Sequence, residues 1–289
     1  MTCVLHLAYQ PPLDFPALLA FFAKRAIPGV EFVDAESYRR VFAIDGRVGT
    51  LSVRHAADAD ALALEVEVAE RDLVPQVIAR VRRMFDLDAD IAAINAHLGA
   101  RRQLKRSVAL HPGQRLPGGW DGFEIAIRAV LGQQVTVAAA RTLTERVVRR
   151  FGSPVELPQG EVVQLFPIPE VLAEADLGGL GITGARMRTL QAIATAVRDG
   201  AVDFHDGQPL AEFIARWTAI PGIGDWTAHY LAMRGLRHVD AFPAADIVLR
   251  KAVARDGSPV ATKALEKISQ AWRPYRAYAV LHLWRSTMM

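Results

Sequence analysis

Cysteine is almost absent from this chain: Cys3 is the single cysteine among 289 residues. One cysteine cannot form an intramolecular disulfide or a cysteine-rich zinc or iron–sulfur site, so both are excluded. The chain also lacks a hydrophobic run of membrane-spanning length, and it does not begin with the basic-then-apolar pattern of a signal peptide. We therefore expect a protein of the reducing cytoplasm with no membrane partner.

A strong net charge is lacking as well, but the charges are unevenly distributed. The formal net charge is +3, and residues 1–90 carry 10 Lys and Arg against 14 Asp and Glu, whereas residues 91–289 carry 24 against 17. A basic C-terminal part suits contact with a polyanion. Ordinary solvated arginines explain the same counts equally well.

The first part of the chain combines strand and helix patterns. Residues 38–44 and 49–55 indicate two strands joined by the hairpin turn Asp45-Gly46, and residues 62–68 alternate between apolar and polar side chains. Apolar residues then line one face of a helix that ends near residue 85. These patterns predict an α+β N-terminal domain at 1–88, with an antiparallel sheet and covering helices.

From residue 89 the alternation is lost and helix signals follow one another. Gly152 and Thr183 are typical of a helix end and a helix start, and Ser258-Pro259 indicates another start. The Pro- and Gly-containing segment 157–169 indicates a loop. We predict an all-α region at 89–289.

A Gly-containing segment joins two of these predicted helices, at 210–218 and 225–234. It consists of Pro221, Gly222, Ile223 and Gly224. The glycines permit unusual backbone angles and let a phosphate approach main-chain N–H groups, and the second helix presents its N-terminus there. The pattern predicts a sequence-independent phosphate contact, with a tight interhelical turn as the alternative interpretation.

Aromatic residues and an aspartate follow this segment. Trp226, Tyr230 and Met233 are spaced at i, i+4 and i+7, which predicts a stripe on one face of the second helix, and Asp246 precedes a further helical pattern at 247–254. A core stripe and a simple N-cap are the alternatives for these residues. Taken together, however, they suit a carboxylate beside a flat aromatic pocket.

The order of these motifs resembles the helix-hairpin-helix superfamily of DNA base-excision glycosylases, and within it bacterial 3-methyladenine DNA glycosylase II. In that family a hairpin like residues 220–224 is followed by a segment like 226–230 and, some twenty residues later, by a catalytic aspartate. The similarity extends over nearly the whole chain, through residues 10–12, 82–87, 115–118, 128–133 and 272–284.

The resemblance implies an all-α helix-hairpin-helix glycosylase core in two subdomains. One covers about 117–238 and contains the hairpin; the other consists of about 89–116 plus 239–289 and packs across the cleft. It also implies site residues: Asp246 is catalytic, the base pocket consists of Trp226, Tyr230, Trp284 and Phe21, the hairpin Pro221, Gly222, Ile223 and Gly224 holds the DNA backbone, and Gln134 is the wedge in the gap left by a flipped base.

The chemistry of base removal suits one carboxylate. Cleavage of the bond between deoxyribose and base passes through an oxocarbenium-like state, which Asp246 can stabilise, or Asp246 can activate water; the sequence leaves both roles open. A Schiff-base mechanism would require a lysine where this chain has Trp226, and Lys251 lies nearest in sequence. We therefore expect a monofunctional glycosylase without lyase activity.

The expected substrate is double-stranded DNA that contains alkylated bases of the 3-methyladenine and 7-methylguanine class. We expect no cofactor and no metal held by side chains, although the resemblance allows a monovalent ion on hairpin carbonyls. The protein should be a monomer in the cytoplasm, associated with the nucleoid. A non-catalytic helix-hairpin-helix DNA-binding protein and a small-molecule-binding helical protein remain as alternatives.

Overall fold

The computed structural model describes residues 1–158, 160–254 and 258–287. Its N-terminal part is a five-stranded antiparallel sheet in the order β1-β5-β4-β3-β2, covered by two helices. The elements are β1 Thr2–Ala8, α1 Phe15–Ala23, β2 Glu31–Val33, β3 Ser37–Ile44, β4 Arg47–Ala56, β5 Ala61–Val68 and α2 Val74–Phe85. The predicted α+β fold of the N-terminal part is confirmed, and its boundary at residue 88 stays a prediction.

The turn between β3 and β4 is specified by its own two residues. Asp45 and Gly46 both have positive φ, at 51° and 74°, and Ile44 pairs with Arg47 across the turn. Two consecutive positive φ angles are what a tight two-residue hairpin turn requires, and Asp-Gly adopts them at low cost. The predicted turn is therefore confirmed at its predicted position.

The rest of the described residues form a helical core and a small two-stranded antiparallel sheet. The helices are α3 Ile91–Gly99, α4 Lys105–Leu110, α5 Gly122–Leu131, α6 Val137–Phe151, α7 Pro169–Ala173, α8 Gly184–Arg198, α9 Leu210–Thr218, α10 Asp225–Arg234, α11 Ile247–Ala252, α12 Thr262–Ser269 and α13 Arg276–Ser286. The strands are β6 Pro154–Glu156 and β7 Val162–Gln164. None of the helices in the described residues is both long and apolar enough to cross a membrane.

Two local predictions differ from the structure. The segment 157–169, expected to be a loop, includes β7, which pairs with β6 and also donates a hydrogen bond from Gln164 N to Gly29 O at 2.9 Å. This strand depends on a partner far away in the chain, which local patterns do not record. The helix expected to open at Ser258-Pro259 begins later, at Thr262.

Helix contacts fall into two groups. α5 packs against α8 and α10, and α10 packs against α9, while α13 packs against α4 and α11. One continuous buried core joins both groups. The subdomain boundaries at 117–238 and at 89–116 plus 239–289 stay a proposal.

A buried ion network joins the sheet to α5. Arg40 of β3 contacts Glu124 of α5 at 2.9 Å, and Arg128, one turn further along α5, contacts both Glu124 at 2.7 Å and Glu31 of β2 at 3.0 Å. Burial alone would raise the pKa of Glu124, but the adjacent Arg40 and Arg128 lower it below its ordinary value. Because breaking a buried pair leaves an uncompensated charge, this network fixes the sheet against α5.

Candidate active site

Asp246 stands at the N-terminus of α11 in an extended conformation, and its side chain is 9% exposed. Its Oδ1 atom accepts a hydrogen bond from Leu249 N at 2.9 Å, which is the geometry of an N-cap. Asp246 is therefore an N-cap of α11. The cap uses only Oδ1 and assigns no partner to Oδ2.

Two indole groups from other helices account for the rest of this carboxylate. Trp226 of α10 donates from Nε1 to Asp246 Oδ2 at 2.9 Å, and Trp284 of α13 donates from Nε1 to Oδ1 at 3.4 Å. A helix cap does not need either contact. Three N–H donors from three helices therefore orient the carboxylate, and of its roughly four acceptor directions about one is left for another molecule.

The aromatic face of α10 is a flat surface beside Asp246. The rings of Trp226 and Tyr230 are stacked, with centroids 5.3 Å apart and planes inclined by 10°. Both side chains are partly exposed, whereas Met233, on the same predicted stripe, is fully buried in the core. The stripe thus presents an aromatic surface through its first two members and contributes to core packing through its third.

Arg234 links Phe21 of α1 to this aromatic surface, because it contacts both Phe21 and Tyr230. The guanidinium carbon of Arg234 lies 4.5 Å from the ring centroid of Phe21, and Arg234 also donates to the Tyr230 hydroxyl at 3.3 Å. Arg25 covers the same Phe21 ring at 3.8 Å. The structure therefore places all four predicted pocket aromatics in one cluster with Asp246. We call the three rings of Phe21, Trp226 and Tyr230 the aromatic wall.

The sequence reasoning missed both arginines of this cluster. Each follows an aromatic residue by four positions on its own chain segment, Arg25 after Phe21 and Arg234 after Tyr230. Residues separated by four positions meet on one helix face, as Tyr230 and Arg234 do on α10. Arg25 lies two residues beyond the end of α1, where its guanidinium still covers the Phe21 ring. That spacing is the signal that could have found them.

The two glycines of the hairpin between α9 and α10 have different roles. Gly222 has φ +92°, and a Cβ atom there would lie 2.0 Å from Thr189 Oγ1. Gly224 precedes α10, and a Cβ atom there would meet no atom within 4 Å. Within the described residues no side chain caps α10. Gly222 is thus required by the fold, while the space at Gly224 keeps the N-terminal N–H groups of α10 accessible.

The loop between α5 and α6 is tied to this hairpin. Gln134 is exposed and has a positive φ of 56°. Its neighbour Gln133 donates from Nε2 to Gly222 O and to Thr227 Oγ1, both at 3.2 Å. The predicted wedge position and the hairpin therefore form one surface, and Gln133, to which the sequence analysis gave no role, connects them.

In the described part of the chain, no group of three or more His, Cys, Asp or Glu side chains is placed to hold a metal ion. The hairpin carbonyl oxygens of Ile220 and Gly222 each accept one hydrogen bond, from Ile223 N at 3.0 Å and from Gln133 at 3.2 Å. Each keeps a second lone pair. A monovalent ion on these carbonyls stays a prediction.

Two family models match this chain and together cover most of it. Residues 4–121 match the AlkA N-terminal domain, and residues 127–275 match the HhH-GPD superfamily base excision DNA repair protein model. The first match falls on the sheet and the helices that follow it, and the second contains Gln134, the hairpin and Asp246.

Curated relatives and a solved structure show the same similarity. DNA-3-methyladenine glycosylase 2 from Escherichia coli is 33% identical over 96% of this chain and 95% of its own length. The probable bifunctional transcriptional activator/DNA repair enzyme AlkA from Mycobacterium tuberculosis is 40% identical over 98% of this chain, but this chain spans only 57% of that relative. The 3-methyladenine DNA-glycosylase from Archaeoglobus fulgidus shares the fold, with a TM-score of 0.82 at 20% identity, over 97% of this chain and 96% of that one.

Proposed function

Because this chain belongs to the HhH-GPD superfamily of base excision DNA repair proteins, we propose that it is a monofunctional DNA glycosylase. Its substrates are alkylated bases of the 3-methyladenine and 7-methylguanine class, which it flips out of double-stranded DNA and removes by hydrolysis. The Escherichia coli relative, named for 3-methyladenine, supports this substrate class. We expect the protein to act as a monomer in the cytoplasm, at the nucleoid.

The orientation of Asp246 is the observation that carries this proposal. Its carboxylate is held by the indole N–H groups of Trp226 and Trp284, beside the stacked ring of Tyr230. Flipping a base out of the duplex costs a few kcal/mol of stacking and pairing free energy, and the flipped base needs a flat apolar surface to receive it. The aromatic wall supplies that surface, and it brings the sugar of the flipped nucleotide towards the carboxylate.

At the sugar, the carboxylate has two possible tasks. As the bond between C1′ and the base nitrogen breaks, positive charge develops on C1′, and the Asp246 carboxylate stabilises it. A water molecule then bonds to C1′ and loses a proton. Asp246 can also orient that water or accept the proton, and both roles stay within the proposal.

Release of a free base from alkylated duplex DNA tests this function against its alternatives. A glycosylase releases 3-methyladenine and leaves an abasic site. A non-catalytic helix-hairpin-helix protein binds the same duplex and releases nothing. A small-molecule-binding protein does neither. Measuring duplex affinity and released base in the same sample separates the three.

We predict that borohydride traps no covalent complex between this protein and its substrate DNA. Trp226 occupies the position where a Schiff-base mechanism requires lysine, and Lys251 lies on α11 with an exposed side chain. The product should be an intact strand with an abasic site, visible by denaturing electrophoresis only after alkali. A stable trapped adduct would show that another amine has taken the lysine's role.

We predict that Gly224→Phe weakens binding to every DNA sequence about equally, by roughly 10- to 100-fold, as expected for loss of charge-assisted hydrogen bonds. A Cβ atom at position 224 would meet no protein atom within 4 Å, so the melting temperature should stay nearly constant. Gly222→Ala is the contrasting variant, because its methyl group would overlap Thr189 and should lower the melting temperature. Unchanged affinity of Gly224→Phe for undamaged DNA would place the phosphate contact elsewhere.

A further inference from the structure

The aromatic wall has opposite charges at its two ends. Asp246 bonds to Trp226 at one end, and Trp226 stacks on Tyr230. Beyond Tyr230 lies the guanidinium of Arg234, 5.7 Å from the Tyr230 ring centroid. Arg234 and Arg25 then share the ring of Phe21. We call Arg25 and Arg234 the arginine pair; the carboxylate and this pair face each other along the wall.

In the part of the chain that the structure describes, the charge of the arginine pair is not balanced by a carboxylate. Arg25 donates to Phe21 O at 3.1 Å, and Arg234 donates to Gly118 O at 3.0 Å and to the Tyr230 hydroxyl; all of these acceptors are uncharged. Among the described residues, neither arginine forms a salt bridge with a carboxylate. Glu124, on the neighbouring helix α5, is already paired with two other arginines.

Burial strengthens the electrostatic effect of this charge on its surroundings. Arg234 is only 7% exposed, and its Nε atom is buried without a partner in the part of the chain described. Burial, followed by repulsion from Arg25, Arg128 and Arg237, lowers the pKa of Arg234 to about 10, although Tyr230 opposes the shift. Arg234 is still protonated at neutral pH. A charge held in this way costs stability, and a structural role alone would be served better by an uncharged side chain.

We propose that the arginine pair assists departure of the base by making the Phe21 end of the pocket electropositive, opposite the Asp246 carboxylate. The inference rests on the proposed function. When the C1′–N bond breaks, its electron pair moves onto the base and positive charge appears on C1′; water then supplies the oxygen of the new C1′–O bond and releases a proton. A cationic alkylated base thereby leaves as a neutral molecule.

This step moves one positive charge away from the arginine pair and towards Asp246. The field along the wall therefore favours the transition state over the bound ground state, which is the requirement for faster chemistry rather than tighter binding. A cationic base is repelled while it is bound and loses that repulsion as it departs. The arginine pair should consequently raise the excision rate and at the same time weaken the binding of cationic bases.

Arg25→Gln tests this assignment, with single-turnover excision of 7-methylguanine measured over a range of protein concentrations. We expect the maximal rate to fall about 10-fold, the size expected for one charge acting over a distance of roughly 10 Å in a partly polar site. The concentration for half-maximal rate should stay the same or fall, because the repulsion is gone. Arg25→Lys keeps the charge and should restore most of the rate.

Arg39→Gln is a matched control, because Arg39 also covers a phenylalanine ring, that of Phe32, at 4.5 Å, but on the exposed sheet and outside the aromatic wall. It should change neither quantity. Arg234→Lys is the second test variant, with its folding checked by thermal unfolding, and it should excise faster than Arg234→Gln.

An active wild-type protein whose Arg25→Gln variant keeps the maximal rate would overturn the inference while leaving the proposed function standing. If the half-maximal concentration also rises in that variant, Arg25 makes a binding contact instead. If the wild-type protein releases no base at all, the proposed function fails and the inference fails with it.

Discussion

Asp246→Asn should reduce base excision by a factor on the order of 10² to 10³, the usual effect of removing one preorganised electrostatic group from a transition state. Asparagine is itself a good N-cap, so its Oδ1 atom can still accept the hydrogen bond from Leu249. The negative charge beside C1′ is lost. Affinity for undamaged DNA should be unchanged, since the hairpin, and not Asp246, contacts the backbone in our proposal. Single-turnover excision and duplex binding measure the two effects.

The structure adds a cost that must be separated from the charge effect. In the variant, the amide nitrogen of residue 246 would face the indole N–H of Trp226, and two donors cannot bond to each other. We expect a loss of about 1 to 3 kcal/mol of stability from this contact. Trp226→Phe removes the same hydrogen bond but keeps the carboxylate, so it should excise much faster than Asp246→Asn.

Asp90→Asn is the matched control for the helix cap. Asp90 caps α3 by accepting a hydrogen bond from Ala93 N at 3.0 Å, and it lies outside the aromatic wall. Its substitution removes one carboxylate from the same kind of helix position and should leave excision intact. Near-normal excision by Asp246→Asn, or equal losses in both variants, would sink the catalytic assignment of Asp246.

Elements specified by neighbouring residues could be predicted from the sequence. The helices Leu210–Thr218 and Asp225–Arg234 begin and end as predicted, because the Pro-Gly segment between them interrupts the helical pattern without ambiguity. The turn at Asp45-Gly46 was predictable for the same reason. In each case the backbone angles needed at a few positions restrict the residue types that can stand there.

Features that depend on residues distant in the chain could not be predicted. Strand β7 forms because Val162–Gln164 pairs with Pro154–Glu156 and meets Gly29. The second indole donor to Asp246, Trp284, lies 38 positions away, and only the resemblance placed it in the pocket. The charge of the arginine pair became visible only when its burial and its neighbours were known, since a sequence does not distinguish a solvated arginine from a buried one.

Excision by this protein should follow the weakness of the bond between base and sugar. 3-Methyladenine and 7-methylguanine should be released, undamaged purines only very slowly, and a neutral oxidised purine also slowly. Alkylation at N3 or N7 makes a purine cationic, so it can leave as a neutral molecule without being protonated. In the described residues, the side chain of Asp246 receives hydrogen bonds from Trp226, Trp284 and Leu249, and none of these is an acid that could protonate a base.

Binding should add little to this selectivity. A ring face attracts a desolvated cation by roughly 0.5 to 2 kcal/mol. The ring of Phe21 is already covered by Arg25 and Arg234, and these two charges oppose a cationic base. Attraction by Trp226 and Trp284 is therefore partly cancelled, and the lability of the leaving group has the greater influence on which bases are released.

Single-turnover rates for alkylated and oxidised bases in one duplex sequence provide the measurement, with the uncatalysed release rates of the same bases as the reference. A constant ratio of catalysed to uncatalysed rate across the alkylated bases is the expected result, because the wall then acts on the sugar and on the departing charge and reads no base edge. A strong preference for the neutral oxidised base, with 3-methyladenine left in place, would contradict both the interpretation of the pocket and the proposed substrate class.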